Sequence, residues 1–130
     1  MSLFILQKKL WYAEDGSPKP KLFYPYPHED LSVNRHRDCT EDEIWEFGFG
    51  VARFRGKTLY GRSDIAVTDC KFDSLDVVAK PIQDHPSGVP DNPNHADIVG
   101  YPDKKEDQIS LAQKLADKAG KRIEPPANDS

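Results

Sequence analysis

Apolar positions in the second half of the chain follow two contrasting patterns. Ala96 to Tyr101 reads as a short apolar strand leaving a proline-rich loop. Beyond it Ile109, Leu111, Ala112, Leu115, Ala116 and Ala119 recur at helical spacing, which predicts an amphipathic helix with one face laid on a sheet. Asp103 is the expected N-cap, with Glu106 three residues on at capping-box spacing, and Gly120 stands where a left-handed C-terminal residue is wanted. Pro102 biases Tyr101 toward extended geometry, so strand and helix should meet at a corner.

The first half is less regular. Leu3 to Ala13 predicts an opening strand through Trp11 and Tyr12, followed by a turn cluster at 14–18. Lys19 to Pro27 interleaves prolines with Leu22, Phe23, Tyr24 and Tyr26, predicting an extended segment at a sheet edge. Leu31 to Arg35 is a short alternating strand. Thr40 and Glu43 form a second capping-box pair, and the run to Arg55 carries two patterns at once. Ile44, Phe47, Val51 and Phe54 make a helical stripe, whereas Trp45, Phe47, Phe49 and Val51 alternate with Gly48 and Gly50 as a strand would. Each glycine costs a helix ~1 kcal/mol. The cap favours the helix, and the glycines then admit a neighbouring element at close range. Leu59 to Asp69 and Leu75 to Ile82 read as a hairpin, or as two sheet strands joined by a short loop. Lys80 to Asn94, with Pro81, Pro86, Pro90, Pro93 and Gly88, is the longest loop.

Together these elements predict an α+β fold, a small mixed or antiparallel sheet of about four to five strands with two helices packed on it. A chain of 130 residues supports one hydrophobic core. The expected division is a globular domain over 1–121 and a polar tail over 122–130.

The net charge of −4 argues against a dedicated nucleic-acid binder without excluding a local basic patch. The N-terminal apolar tetrad has no basic leader and no cleavage site, and no apolar run approaches the ~20 residues of a membrane span. A cytoplasmic protein with reduced thiols at Cys39 and Cys70 is expected, with no membrane association.

Candidate chemistry gathers in four places. His28, Asp30, Arg35, His36 and Arg37 could supply acid–base groups and an anion clamp, but local pairing on a strand edge is the favoured reading. His85, His95 and Asp97 bracket the long loop and are weak metal candidates, their spacing matching no recognised metal site. Arg53, Arg55, Lys57 and Arg62, with Tyr60 among them, form a weak nucleic-acid candidate offset by Glu41, Asp42, Glu43 and Glu46. Tyr24, Tyr26, Trp45 and Tyr60 are expected as exposed aromatics of a protein contact. Gly56-Lys57-Thr58 fails as a phosphate loop, since Val51 stands where a glycine is required and the helix precedes the motif. No cofactor is expected.

The strings D-L-S-V-N-R at Asp30 to Arg35 and N-H-A-D-I-V-G-Y-P at Asn94 to Pro102, followed by a Leu/Ala-rich helix, resemble a pattern of small bacterial proteins of no established activity. That resemblance implies a bacterial cytoplasmic origin and nothing catalytic. The expected function is therefore non-enzymatic recognition of a macromolecular partner, of immunity, antitoxin or accessory-subunit type. The alternative is a small enzyme acting on a phosphate-bearing substrate or nucleic acid through the His28/Arg35/His36/Arg37 cluster.

Overall fold

A computed structural model describes residues 1–25 and 28–127. Five strands form one antiparallel sheet: β1 (Ser2–Ile5), β2 (Leu31–Asn34), β3 (Gly61–Asp64), β4 (Asp76–Ala79) and β5 (His95–Val99), in the spatial order β3-β1-β2-β5-β4. Two helices, α1 (Glu41–Arg55) and α2 (Lys105–Lys118), pack on it, as the expected α+β architecture requires.

Register decides what each face of the sheet carries, because residues directly opposite across an antiparallel pair share a face. Leu31 pairs with Ile98 and Ile98 with Val77; Val33 pairs with Ala96, and Leu3 and Ile5 lie on the same side. That face is apolar and meets Leu111, Ala112, Leu115 and Ala116 of α2, with Phe23 fully buried between them and the sheet. The opposite face runs Val78, Asp97, Ser32, Asn34, His95, Ser2, Phe4, Asp64 and Arg62, and is largely polar. Helix α1 covers only the β1–β3 end of it, through a second cluster of Leu6, Trp45, Ala52 and Leu59.

The helix reading of 41–55 holds, and its chemistry is as expected. The Thr40 side chain accepts from the Glu43 amide while Glu43 accepts from the Thr40 amide, and Gly56 ends the helix at φ 64°. A Cβ at Gly48 would stand 2.8 Å from two ring carbons of Phe4, so this glycine does admit β1 at close range. The buried stripe is nevertheless Ile44, Trp45, Gly48 and Ala52, while Phe47 and Val51 are half-buried and Phe54 is 46% exposed. The sheet is met one residue around the helix from the expected stripe, because only a glycine lets the backbone lie over Phe4.

Several expectations are corrected. The opening strand stops at Ile5, and Tyr12 makes only an isolated bridge to Pro18. Pro20–Phe23 is a 3-10 turn within the segment expected to be extended; proline at its start fits a turn, and Leu22 and Phe23 are driven into the core. Strands β3 and β4 are not a hairpin but stand at opposite edges of the sheet. The connection between them buries Ile65, Cys70 and Leu75 through a 3-10 turn at Val67–Cys70, so its apolar residues serve the core. Helix α2 begins one residue later than expected, with Lys104 as an uncapped N-cap. It ends in extended backbone at Ala119, because Gly120 donates its amide to the Asp64 carbonyl instead of turning left-handed. Ile109, assigned to the buried face, is 45% exposed. The chain beyond 121 is not a free tail at its start. Ile123 bridges Arg62 on the β3 edge, and Arg122 donates its amide to Gly16 and its guanidinium to Tyr60.

Candidate binding groove on the polar face of the sheet

Because α1 stops short of β2 and β5, the polar face is open there. The result is a groove of about 1000 Å³. Ser32, Asn34, His95 and Asp97 line it from the sheet; Phe47, Val51, Phe54 and Arg55 line it from α1. The long loop adds Ile82, Val89, Pro90 and Asp91, and the segment before β2 adds His28, Glu29 and Asp30. The loop is pinned across its base by mutual backbone hydrogen bonds between Ile82 and Asn92, both 2.9 Å. Both short strings singled out in the sequence thus become neighbouring strands, and their alternate residues make one surface.

Polar groups in the groove mostly hold one another. The Asn92 amide donates to Asn34 Oδ1 at 2.5 Å, and Asn92 Oδ1 receives the Asn94 amide at 3.0 Å. His95 Nδ1 lies 2.9 Å from the Lys80 carbonyl, so this nitrogen carries the proton and donates. Asp97 differs. It sits 3.4 Å from Lys80 Nζ and 3.8 Å from His95 Nε2, both longer than a charge-assisted hydrogen bond. Lys80 also lies 3.7 Å from Asp30.

At the covered end of the same face, Arg62 is 3% exposed and clasped between acids. It donates to both Glu41 oxygens at 2.7 and 2.8 Å and to Asp64 Oδ1 at 3.1 Å, with its guanidinium 4.9 Å from the Trp45 ring centroid. The hydrogen bond from Arg62 holds the Glu41 carboxyl below its ordinary range.

Ser2, His36 and Asp64 meet beside this clasp and have the residue types of a nucleophilic triad. Ser2 Oγ donates to Asp64 Oδ1 at 2.6 Å and lies 2.5 Å from His36 Nε2. A serine hydroxyl has one proton, and a carboxylate can only accept it. His36 Nε2 must therefore donate to Ser2, which leaves it unable to act as the base. In a working triad the acid orients the far ring nitrogen; here Asp64 stands 3.8 Å from the nitrogen that faces the serine. Burial, helped by the nearby N-terminal ammonium, depresses the His36 pKa. The three residues form a structural knot.

The sequence candidates are dispersed. His28 and Asp30 line the groove; His36 is tied to Ser2; Arg35 Nε donates to the Asn94 carbonyl at 3.3 Å; Arg37 borders a separate hollow of about 320 Å³ with Cys39 and Glu43. They do not line one pocket. His85 bonds Ser87, 2.7 Å away, and lines the same groove as the His95–Asp97 pair. Among the described residues no group of three or more His, Cys, Asp or Glu is placed to hold a metal. Arg53, Arg55 and Lys57 are exposed, but Arg62 is not available to a nucleic acid, its donors being committed to Glu41 and Asp64. Trp45, expected at the surface, is 7% exposed, packed with Leu6, Ala52 and Leu59 and with the Arg62 guanidinium over its ring. Tyr24 and Tyr60 are half-buried, each with a lysine over its ring (Lys21 at 5.3 Å, Lys8 at 5.4 Å). Tyr26 lies outside the described residues. Both cysteines are free thiols, Cys70 buried and raised to about 11 by that burial.

No family model, curated protein or solved structure matches the chain. No helix among the described residues is long and apolar enough to cross a membrane.

Ser32, Phe47, Val51 and Phe54 are groove residues that no motif in the sequence marks. The alternation of D-L-S-V-N-R and H-A-D-I-V places Ser32, Asn34, His95 and Asp97 on one face, but which face α1 would cover is a tertiary fact.

Proposed function

We propose that this chain is a non-enzymatic binding protein that holds a segment of a macromolecular partner in the groove between α1 and strands β2 and β5. The observation that carries the reading is the misfit between α1 and the sheet it covers. Phe54, 46% exposed, and the half-buried Phe47 and Val51 line an open groove whose sheet side is polar, so part of this apolar surface stays wet unless something else covers it. An arrangement of this kind suits recognition, where an apolar patch rimmed by polar groups supplies the contact. Catalysis is less well supported, since the imidazoles and guanidiniums proposed as its machinery stand apart or are committed to structural bonds. The partner is read as a cytoplasmic protein, in keeping with an immunity, antitoxin or accessory-subunit role.

The test is site-specific photo-cross-linking in the native host, with a benzophenone side chain at Phe54 or, as control, at Ile109 on α2. A discrete protein adduct from position 54, weak or missing from position 109, is the expected result. Equal labelling from both positions, or none from either, would sink the proposal.

A further inference from the structure

Given that the groove is a docking site, we infer that its occupant is a basic amphipathic segment of a protein partner, carrying arginine or lysine among apolar residues. Charge complementarity sets the sign. Glu29, Asp30, Asp91 and Asp97 line the groove against Lys21 and Arg55, with Lys80 beside Asp30 and Asp97 as a third cation, so carboxylates outnumber lysines and arginines there by one. Asp97 gives the sign a position. Its side chain is 14% exposed, it lies on the sheet side of the groove, and its nearest partner is Lys80 at 3.4 Å. No side-chain nitrogen or oxygen among the described residues is sealed from solvent without a hydrogen bond, so the Asp97 oxygens, which accept none, keep contact with solvent in a residue that lines the groove. Lys80 is half exposed and shared with Asp30 at 3.7 Å, a loose counter-ion that an incoming guanidinium can displace. A guanidinium there would make the short bidentate bond that Lys80 does not. Its aliphatic stem, and the apolar residues beside it, would lie along Phe47, Val51 and Phe54. The same carboxylates repel a phosphate backbone, which sets nucleic acid aside as the occupant.

The experiment selects from a displayed library of random twelve-residue peptides on the intact protein, then measures the enriched peptides by fluorescence anisotropy. The expected peptides are net positive with arginine or lysine interleaved among apolar residues. Asp97→Asn should weaken them at least tenfold and Asp97→Glu much less, and raised salt should weaken them too. Val51→Glu, shown by circular dichroism to stay folded, should abolish binding, and Phe54→Glu at the 46% exposed position of the same wall carries this arm if it does not. If Asp97→Asn fails to fold by circular dichroism, the exposed double variant Glu29→Gln/Asp91→Asn carries the test, with a severalfold loss expected. Neutral or acidic peptides lost in Val51→Glu but unmoved by the carboxylate variants would overturn the basic-segment inference and leave the groove reading standing. Peptides indifferent to Val51→Glu, no enriched peptide, or tight binding of a labelled single-stranded RNA instead would overturn both.

Discussion

Gly48 and Gly50 lie two residues apart on α1, and replacing each by alanine separates helix propensity from packing. Both changes remove a glycine from a helix interior and should gain about 0.8–1 kcal/mol on that ground. At Gly50 a Cβ meets only Pro90 Cγ at 3.8 Å, ordinary contact, so G50A should be more stable than the parent by about 0.5–1 kcal/mol. At Gly48 the new Cβ would stand 2.8 Å from Phe4 Cδ1 and Cε1 and 3.1 Å from Leu59 Cδ2. One whole edge of the ring is struck, not the tip of a flexible chain, so either Phe4 swings toward the groove or α1 lifts from β1. Overpacking of this kind costs about 1–3 kcal/mol, which offsets the propensity gain and leaves G48A roughly neutral to 2 kcal/mol less stable than the parent. Urea denaturation followed by circular dichroism reads the difference. With a slope of about 2 kcal/mol per molar, a gap of about 2 kcal/mol puts the G48A midpoint roughly 1 M below that of G50A. A G48A midpoint at or above G50A would refute the claim that this glycine sets the α1–β1 distance. Phe4 also lines the groove, so G48A should weaken any groove ligand where G50A does not.

Three further outcomes follow from other parts of the molecule. Burial depresses the His36 pKa from its ordinary 6.5, so the unfolded chain takes up a proton near 6.5 that the folded state resists. Stability should therefore fall as pH drops below 6.5, and the fall should be shallower in His36→Gln; equal slopes from pH 7 to 5 in thermal melts would contradict the assignment. Deleting 122–130 removes the two backbone hydrogen bonds between Ile123 and Arg62, the one from Arg122 to Gly16, and the guanidinium bond to Tyr60. At roughly 0.5–1.5 kcal/mol each before the ordering of the tail is offset, about 1–3 kcal/mol should be lost, and an unchanged urea midpoint would show the tail to be dispensable. Cys70, buried and raised to about 11, should resist iodoacetamide at pH 8 in the folded protein while half-buried Cys39 is alkylated; peptide mass spectrometry showing comparable labelling at both would contradict the burial.

The sequence made some of this fold readable, and the limits have physical causes. Thr40 and Glu43 announce the start of α1 because a capping box is written within four residues, and the helix overrode the strand-like alternation of Trp45, Phe47 and Phe49. The apolar face of α2 was likewise visible, since Leu111, Ala112, Leu115 and Ala116 repeat on one side. The cap at Asp103 was not realised: the N-cap position falls to Lys104, whose ammonium has no acceptor to offer the free amides, while Gln108 donates its side-chain amide to the Pro102 carbonyl. Long-range pairing was the harder part. Nothing local separates β3 and β4 to opposite edges; that follows from where Ile65, Cys70 and Leu75 find burial. For the same reason Arg62 read as a surface cation, though its neighbours in space are Glu41, Asp64 and Trp45. The groove itself was half legible. The strand alternation exposes its sheet side, but its apolar wall looked like core.

The most direct measurement is a nitrogen-15 chemical-shift titration of the whole chain with the tightest basic peptide from the selection. Shifts concentrated at Ser32, Asn34, Phe47, Val51, Phe54 and Asp97, with α2 and the β3 edge unmoved, are the expected result. Changes centred on the outer face of α2, or on Arg53 and Lys57 with the sheet silent, would show that the partner is held elsewhere.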